Sequence, residues 1–184
     1  PTGKRVTTND YGSADYYYVD KSSLPKVYGG FNTSLSWKGF DLSAIFAYSI
    51  GGYIYNRDIT MILHNGSLEG RDWSTEILRR WTPDNRYTDV PALSTTSNNW
   101  NSASTRFLQN NSYMRLKNLT LSYNLPKQWI SKLSLSSVQV YVQGDNLFTI
   151  HRNQGLDPEQ GITGITYYRY PAMRTISGGI NVSF

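Results

Sequence analysis

The sequence contains no cysteine, which removes a disulfide frame, a thiolate nucleophile and any Cys-based metal site together. Histidine is almost as scarce. His64 and His151 are the two present, far apart and with no carboxylate or second His at metal-ligand spacing, so a shared metal site is not expected. No apolar run approaches the ~18–20 residues that a membrane-crossing helix needs. The opening PTGKRVTTND lacks the charged-then-apolar layout of a signal peptide. No G-x-S-x-G elbow marks a hydrolase, and no glycine-rich phosphate loop occurs. The pairs Gly29-Gly30, Gly51-Gly52 and Gly178-Gly179 lie on or beside extended stretches, where glycine permits bends or close backbone approach. With no nucleophile, base or metal constellation, the chain does not read as an enzyme and calls for no cofactor.

Acidic side chains are also in deficit, 13 against 18 Lys+Arg, for a formal charge of +5. Such a balance admits nucleic acid or an anionic surface as a partner. The distribution argues against nucleic acid. Residues 51–112 hold six basic and six acidic residues, and residues 113–137 hold only Arg115, Lys117, Lys127 and Lys132. A phosphate-binding stripe needs more cations than that.

What the chain does have is aromatic side chains, 14% of residues with 15 Tyr and 5 Trp, and a recurrent period of two. In VYGGFNTSLSW, Val27, Gly29, Phe31, Thr33, Leu35 and Trp37 share one side. After Lys38-Gly39, a short turn signal, FDLSAIFAYSI places Phe40, Leu42, Ala44, Phe46, Tyr48 and Ile50 together. Between 113 and 125, Leu119, Leu121 and Tyr123 alternate cleanly, whereas Met114 and Leu116 have the opposite parity. A bulge near Lys117-Asn118 reconciles them. SVQVYVQGD sets Val138, Val140 and Val142 against Gln139, Tyr141, Gln143 and Asp145. TISGGINVSF repeats the pattern with Ile176, Ile180, Val182 and Phe184. The expected strands are therefore about 27–37, 40–50, 113–125, 137–146 and 174–184.

These strands have the length of tilted membrane-spanning strands. Short links join the first to the second and the third to the fourth. Long connections, about 51–112 and 147–172, join the others. Alternating tight turns and long outer loops are the layout of an outer-membrane barrel. Phe184, Trp37, Phe40 and Trp129 would cluster at one membrane edge, with Tyr48, Tyr113 and Phe148 toward the other, as aromatic girdles. A soluble β-sandwich, such as a carbohydrate-binding module, also alternates, but its outer faces usually carry more charge than these Ser, Asn, Gln, Thr and Gly rows.

Within the first long connection, RDWSTEILRRW reads as a short helix. Asp72 is its candidate cap, and Thr82-Pro83 ends it. In the second, Asp157 and Glu159 of LDPEQG are either turn chemistry or calcium ligands, and Pro at the centre favours the turn. For solute binding, rings stack on sugar faces while amides and carboxylates read hydroxyls. The candidate clusters are Trp100 with Asn98, Asn99 and Asn101, and Tyr167-Tyr168 with Arg169 and Tyr170. Packing of the loops against themselves would explain the same rings.

Several of these motifs resemble those of SusC/RagA-type TonB-linked outer-membrane transporters. The block QGDNLFTIHRNQGLDPEQG…YRYPAMRTISGGINVSF is similar to that family's closing strands and Asp-Pro-Glu loop. SYMRLKNLTLSYNLP resembles the strand before it, ILRRWTPDNRYTDVPAL a segment of the large outer loop, and LPKVYGGFNTSLSWKGFDLSAIFAYSIGGYIYN the preceding hairpin. The resemblance covers about residues 24–184 in order and leaves 1–23 poorly matched, with 1–26 as the lead-in to the barrel part, 27–184.

The resemblance implies an all-β fold. The chain would supply the last five strands of a 22-stranded antiparallel transmembrane β-barrel with long extracellular loops and a short loop helix. Terminal Phe184 would serve as the barrel's insertion signal. The same resemblance implies a bacterial outer-membrane location in a Bacteroidetes-like setting. It further implies a SusD-like lipoprotein as lid, and energisation by TonB through an N-terminal plug lying outside this chain. The expected function is nutrient import of oligosaccharide or oligopeptide cargo, in contact with outer-membrane lipid and not nucleic acid. A siderophore or vitamin receptor without the lid is the near alternative. Five strands cannot close a barrel by themselves, and open edges are costly in lipid, so the chain is expected to be a piece of a longer polypeptide. By position, Arg115, Gln139, Tyr141, Gln143 and Asp145 would line the lumen, and Trp100, Asn99, Tyr167 and Tyr168 would meet cargo from the loops.

Overall fold

A computed structural model describes residues 8, 10–66, 68–96, 99–153, 155, 157–159, 161 and 163–184. Its elements are β1 (Val27–Trp37), β2 (Phe40–Ile50), β3 (Tyr53–Asn56), α1 (Arg57–Ile62), β4 (Leu108–Asn110), β5 (Tyr113–Asn124), α2 (Lys127–Ile130), β6 (Ser137–His151), β7 (Ile165–Thr166) and β8 (Thr175–Ser183), with short 3-10 turns between them. The chain divides into two compact units. One comprises Ser22–Tyr53, Asn110–Ile162 and Tyr170–Phe184, and the other Pro1–Lys21, Ile54–Gln109 and Thr163–Arg169.

The first unit is an antiparallel sheet in the order β1-β2-β5-β6-β8. Lys38 and Gly39 both take positive φ, +48° and +89°, as a two-residue turn matched to the twist of its strands requires. The turn fixes Trp37 opposite Phe40, and the register runs unbroken to Val27 opposite Ile50. Phe31 stacks on Phe46 at 4.7 Å and Phe40 on Tyr123 at 4.5 Å between ring centroids. Cross-strand aromatic pairs of this kind each contribute roughly 0.2–1 kcal/mol.

The bulge expected from the parity change is present at Lys117. β2 pairs Ile45 with Asn118 and Phe46 with Leu116, so Lys117 is passed over. On the other side, Leu116 pairs with Phe148 and Asn118 with Asp145. The extra residue brings Met114 and Leu116 onto the face of Leu119 and Leu121, giving an apolar face continuous across all five strands.

β6 runs on to His151 rather than ending near 146, so the following connection begins later than the sequence spacing placed it. The Gly144-Asp145-Asn146 stretch near the expected end is absorbed within the strand. Asn146 takes φ +52°, and Asn146 and Leu147 are passed over in the pairing with β5. Leu147 folds back over Gly144, where a Cβ would lie 2.7 Å from its Cδ1. Phe148 and Ile150 then resume the apolar face.

Burial in this sheet is inverted relative to a soluble protein. On the apolar face, Leu35, Trp37, Phe148, Ile150, Ile176 and Ile180 are each more than half exposed. On the opposite face, Arg115 and Ser122 are buried, and Gln139, Tyr141, Gln143 and Asp145 are partly so. A sandwich packs its apolar face against a second sheet. This arrangement is that of a barrel wall, apolar outward and polar inward.

The second unit is built around a small sheet in the order β4-β3-β7, with β3 and β7 parallel. Ile54, Ile77, Val90 and Phe107 are its buried apolar residues. Asn56 caps α1 by accepting the Ile59 N–H at 3.1 Å. The expected loop helix is a 3-10 turn, Thr75–Arg79, and its cap is Ser74 rather than Asp72. The Ser hydroxyl reaches the Glu76 N–H from immediately before the turn, a position Asp72 does not occupy. The described residues of the long connection 51–112 thus carry local structure, although its strands are too short to leave a periodic signal.

Candidate functional site

The polar face of the sheet is a hydrogen-bonded ladder fixed by strand register. Thr120 stands opposite Gln143, Ser122 opposite Tyr141 and Asn124 opposite Gln139. Asn118 donates to Asp145 at 2.8 Å, Gln143 donates to the same carboxylate at 3.2 Å, and Thr120 donates to Asn118 at 2.9 Å. Gln139 donates to Ser122, and Asn181 donates to Gln139. Tyr141 lies over Gly179, its cross-strand partner, where a Cβ would stand 2.7 Å from the phenolic oxygen. The sequence-derived residues Gln139, Tyr141, Gln143 and Asp145 therefore share one face, with amide and hydroxyl groups able to exchange partners with a polar solute.

Arg115, also on that face, is 3% exposed and engaged through each of its three nitrogens. Its Nε donates to Thr149 at 3.0 Å, Nη1 to Glu159 at 2.8 Å and Nη2 to Asp157 at 2.5 Å. Lys117, the bulge residue, donates to both oxygens of Glu159 at 2.5 Å. Asp157 additionally accepts the N–H of Glu159 at 2.9 Å and of Ala172 at 2.7 Å. Burial would raise the pKa of this carboxyl. The two backbone N–H groups and the Arg115 guanidinium outweigh burial and hold it below its ordinary value. Its oxygens are thus taken by N–H donors, as turn chemistry requires, and among the described residues no acid or His cluster is arranged to hold a metal. Sequence reading did not link Asp157 and Glu159 to Arg115. The signal was two cations, Arg115 and Lys117, on a strand stretch without an acid, followed by a paired-acid turn.

In the loop unit the aromatic candidates have separate environments. Trp100 and Asn99 lie in the 3-10 turn Asn99–Asn101, and Asn98 falls outside the described residues. The Trp100 indole N–H donates to the Leu63 carbonyl, and the Arg106 guanidinium sits 3.3 Å from its ring centre. The indole N–H and one ring face are therefore already used within the unit. His64 is buried, and its Nδ1 accepts the Trp73 indole N–H at 3.0 Å.

Tyr167 and Tyr168 are exposed, with ring centroids 4.2 Å apart. Arg57 lies 4.8 Å over the Tyr167 ring, Arg71 donates to the Tyr168 hydroxyl at 3.2 Å, and Asp58 accepts the Tyr168 N–H at 2.9 Å. Arg57, Asp58 and Arg71 escaped sequence reading because about a hundred positions separate them from the tyrosines. Phe184 follows β8 and is 92% exposed.

No family model matches the chain. It is 34% identical over 166 residues to TonB-dependent receptor P3 of Formosa agariphila, covering 84% of this chain and 16% of the relative. It is 28% identical over 182 residues to TonB-dependent receptor SusC of Bacteroides thetaiotaomicron, covering 97% of this chain and 17% of the relative. Among solved structures, the RagAB peptide importer in its open-open state superposes with a TM-score of 0.87 at 35% identity. That superposition covers 100% of this chain and 20% of the other. In the closed-closed state the TM-score is 0.85 at 36% identity, over 99% of this chain and 20% of the other. The chain thus spans between a sixth and a fifth of the length of these proteins.

Proposed function

This chain belongs to the SusC/RagA-type TonB-dependent receptors, and from that premise we propose that it forms part of an outer-membrane importer for oligosaccharides or oligopeptides. In this reading the importer is energised through TonB and lidded by a SusD-like surface lipoprotein. The inverted burial of the sheet carries the reading. An apolar face five strands wide matches lipid, and a polar ladder of amides, hydroxyls and one clamped arginine matches a watery lumen. Trp37, Phe40 and Trp129 lie at the end of the sheet with the short links, and all three are exposed, as an interfacial girdle would be. Gln139, Tyr141, Gln143 and Asp145 would line the solute path with Arg115. Tyr167 and Tyr168 offer exposed ring surface to cargo, whereas Trp100, its indole N–H and one face engaged, serves chiefly to hold its own loop.

The test uses the full-length receptor in its native membrane. The expected outcome is a barrel with heat-modifiable gel migration, a stoichiometric lipoprotein partner on mild extraction, and oligomer uptake that stops when TonB is deleted. Uptake unchanged without TonB would overturn the importer reading. A receptor that purifies without a lipoprotein would overturn the lid and point instead to a siderophore or vitamin receptor.

A further inference from the structure

Two of the loop unit's arginines are held in an unusual way. Arg79, Arg106 and Arg115 each lie within 4 Å of a carboxylate, as does Lys117. Arg57 and Arg71, like Arg80, Arg86 and Arg169 of the same unit, form no salt bridge among the described residues, and both are exposed. Each is oriented by a tyrosine instead, Arg57 over the Tyr167 ring and Arg71 through the Tyr168 hydroxyl. An exposed arginine left to itself samples many rotamers, and ordering it has an entropic cost. Here aromatic contacts have already done part of the ordering.

The backbone supports the same point. Tyr168 takes φ +49°, a left-handed conformation uncommon for a bulky side chain. Asp58 fixes it by accepting the Tyr168 N–H. Strained residues that the surroundings hold in place are frequent at ligand clamps. Asp58 accepts the backbone N–H; two guanidiniums and one carboxylate leave the patch net positive, and Tyr167 and Tyr168 remain 45% and 61% exposed.

We propose that Arg57, Arg71, Tyr167 and Tyr168 form a recognition site for a carboxylate group carried on an oligomeric cargo. The proposal rests on the importer reading and narrows it, from polar oligomers in general to acidic ones. A guanidinium fork takes a carboxylate through paired charge-assisted hydrogen bonds, and the adjoining rings cover the neighbouring residue or sugar unit. The carboxylate can belong to an acidic peptide or to a uronic-acid glycan.

The experiment measures affinity of the full-length receptor complex for four probes: an oligoglutamate, the oligoglutamine of equal length, an oligogalacturonate and a neutral oligogalactoside of equal length. The acidic member of at least one pair is expected to bind about tenfold or more tightly than its neutral counterpart, a difference of about 1.4 kcal/mol. Whichever pair shows it identifies the source as peptide or glycan. Combining R57Q with R71Q should level that pair, and rising salt should do the same in the unmodified protein. Tyr168→Gly relieves the left-handed backbone while removing one ring, so it should leave the heat-modifiable band intact and still weaken the acidic probe. Equal affinity for acidic and neutral probes, or a preference that survives R57Q/R71Q, overturns the site. If neutral oligomers are still taken up in a TonB-dependent way, that failure leaves the importer reading standing. Absence of uptake for every oligomer overturns both.

Discussion

Arg115 on β5 donates through Nη2 to Asp157 at 2.5 Å, across a separation of 42 positions in the sequence. The same guanidinium reaches Glu159 at 2.8 Å. Asp157 in turn accepts the N–H of Ala172. One arginine on the wall therefore fixes the start of the connection to β8, and one carboxylate ties that start to the connection's end.

Arg115→Gln should release this clamp. The side chains of Arg115 and Asp157 are 4% and 7% exposed, and removing one partner of a buried ion pair costs roughly 3–5 kcal/mol. The expected readout is new protease sensitivity between 152 and 172 in a receptor that still shows its heat-modifiable barrel band. Acid should act in the same direction. The Asp157 carboxyl is held below the ordinary value of 3.8, so its contribution is complete above that value and is lost as pH falls through the lowered one. Protection of the Ala172 amide against hydrogen exchange, taken relative to its intrinsic rate at each pH, should hold from neutral pH downward and be lost only below about pH 3.8. Loss of that protection already at pH 5 would contradict the assignment.

Gly179→Val should destabilise β8 through Tyr141. A Cβ at 179 would stand 2.7 Å from the phenolic oxygen and 2.9 Å from the ring, so the ring must move, at a cost of about 1–3 kcal/mol. Pairing it with Tyr141→Ala should recover part of the loss, because the clash is removed with the ring. The temperature at which the folded gel band disappears checks both variants. Additive losses in the double variant would refute the contact.

Deleting Lys117 should abolish assembly of the barrel, whereas Lys117→Gln should assemble normally. The deletion removes the bulge and turns Met114 and Leu116 toward the polar ladder, with Arg115 toward the apolar face. The substitution removes only the ion pair with Glu159, which is partly exposed and correspondingly weak. Recovery of folded receptor in the membrane fraction separates the two.

The strands were legible because each exposes its two faces to different surroundings, and the side-chain alternation records that directly. The parity change between Leu116 and Leu119 even located the bulge. The continuation of β6 through Asn146 was not legible, since a strand that absorbs two irregular residues looks locally like a turn. In the loop unit, β3, β4 and β7 are too short for any period to build up. Of the candidate site, only the shared polar face was legible. Gln139, Tyr141, Gln143 and Asp145 follow from alternation alone. The partners of Arg115 and of the Tyr167–Tyr168 pair come from distant loops, and no local pattern announces a contact made across 42 or about a hundred positions.

The bulge at Lys117 also sets the rhythm of mutational tolerance along β5. Up to Leu116, the even-numbered positions face the medium that penalises charge and the odd-numbered ones face the medium that admits it. From Asn118 onward the assignment is exchanged, with Leu119, Leu121 and Tyr123 on the charge-intolerant side. A saturation scan of this strand would trace a two-beat wave that skips one beat at a single residue. Substitutions chosen by counting from either end of β5 would be correct up to Lys117 and reversed beyond it.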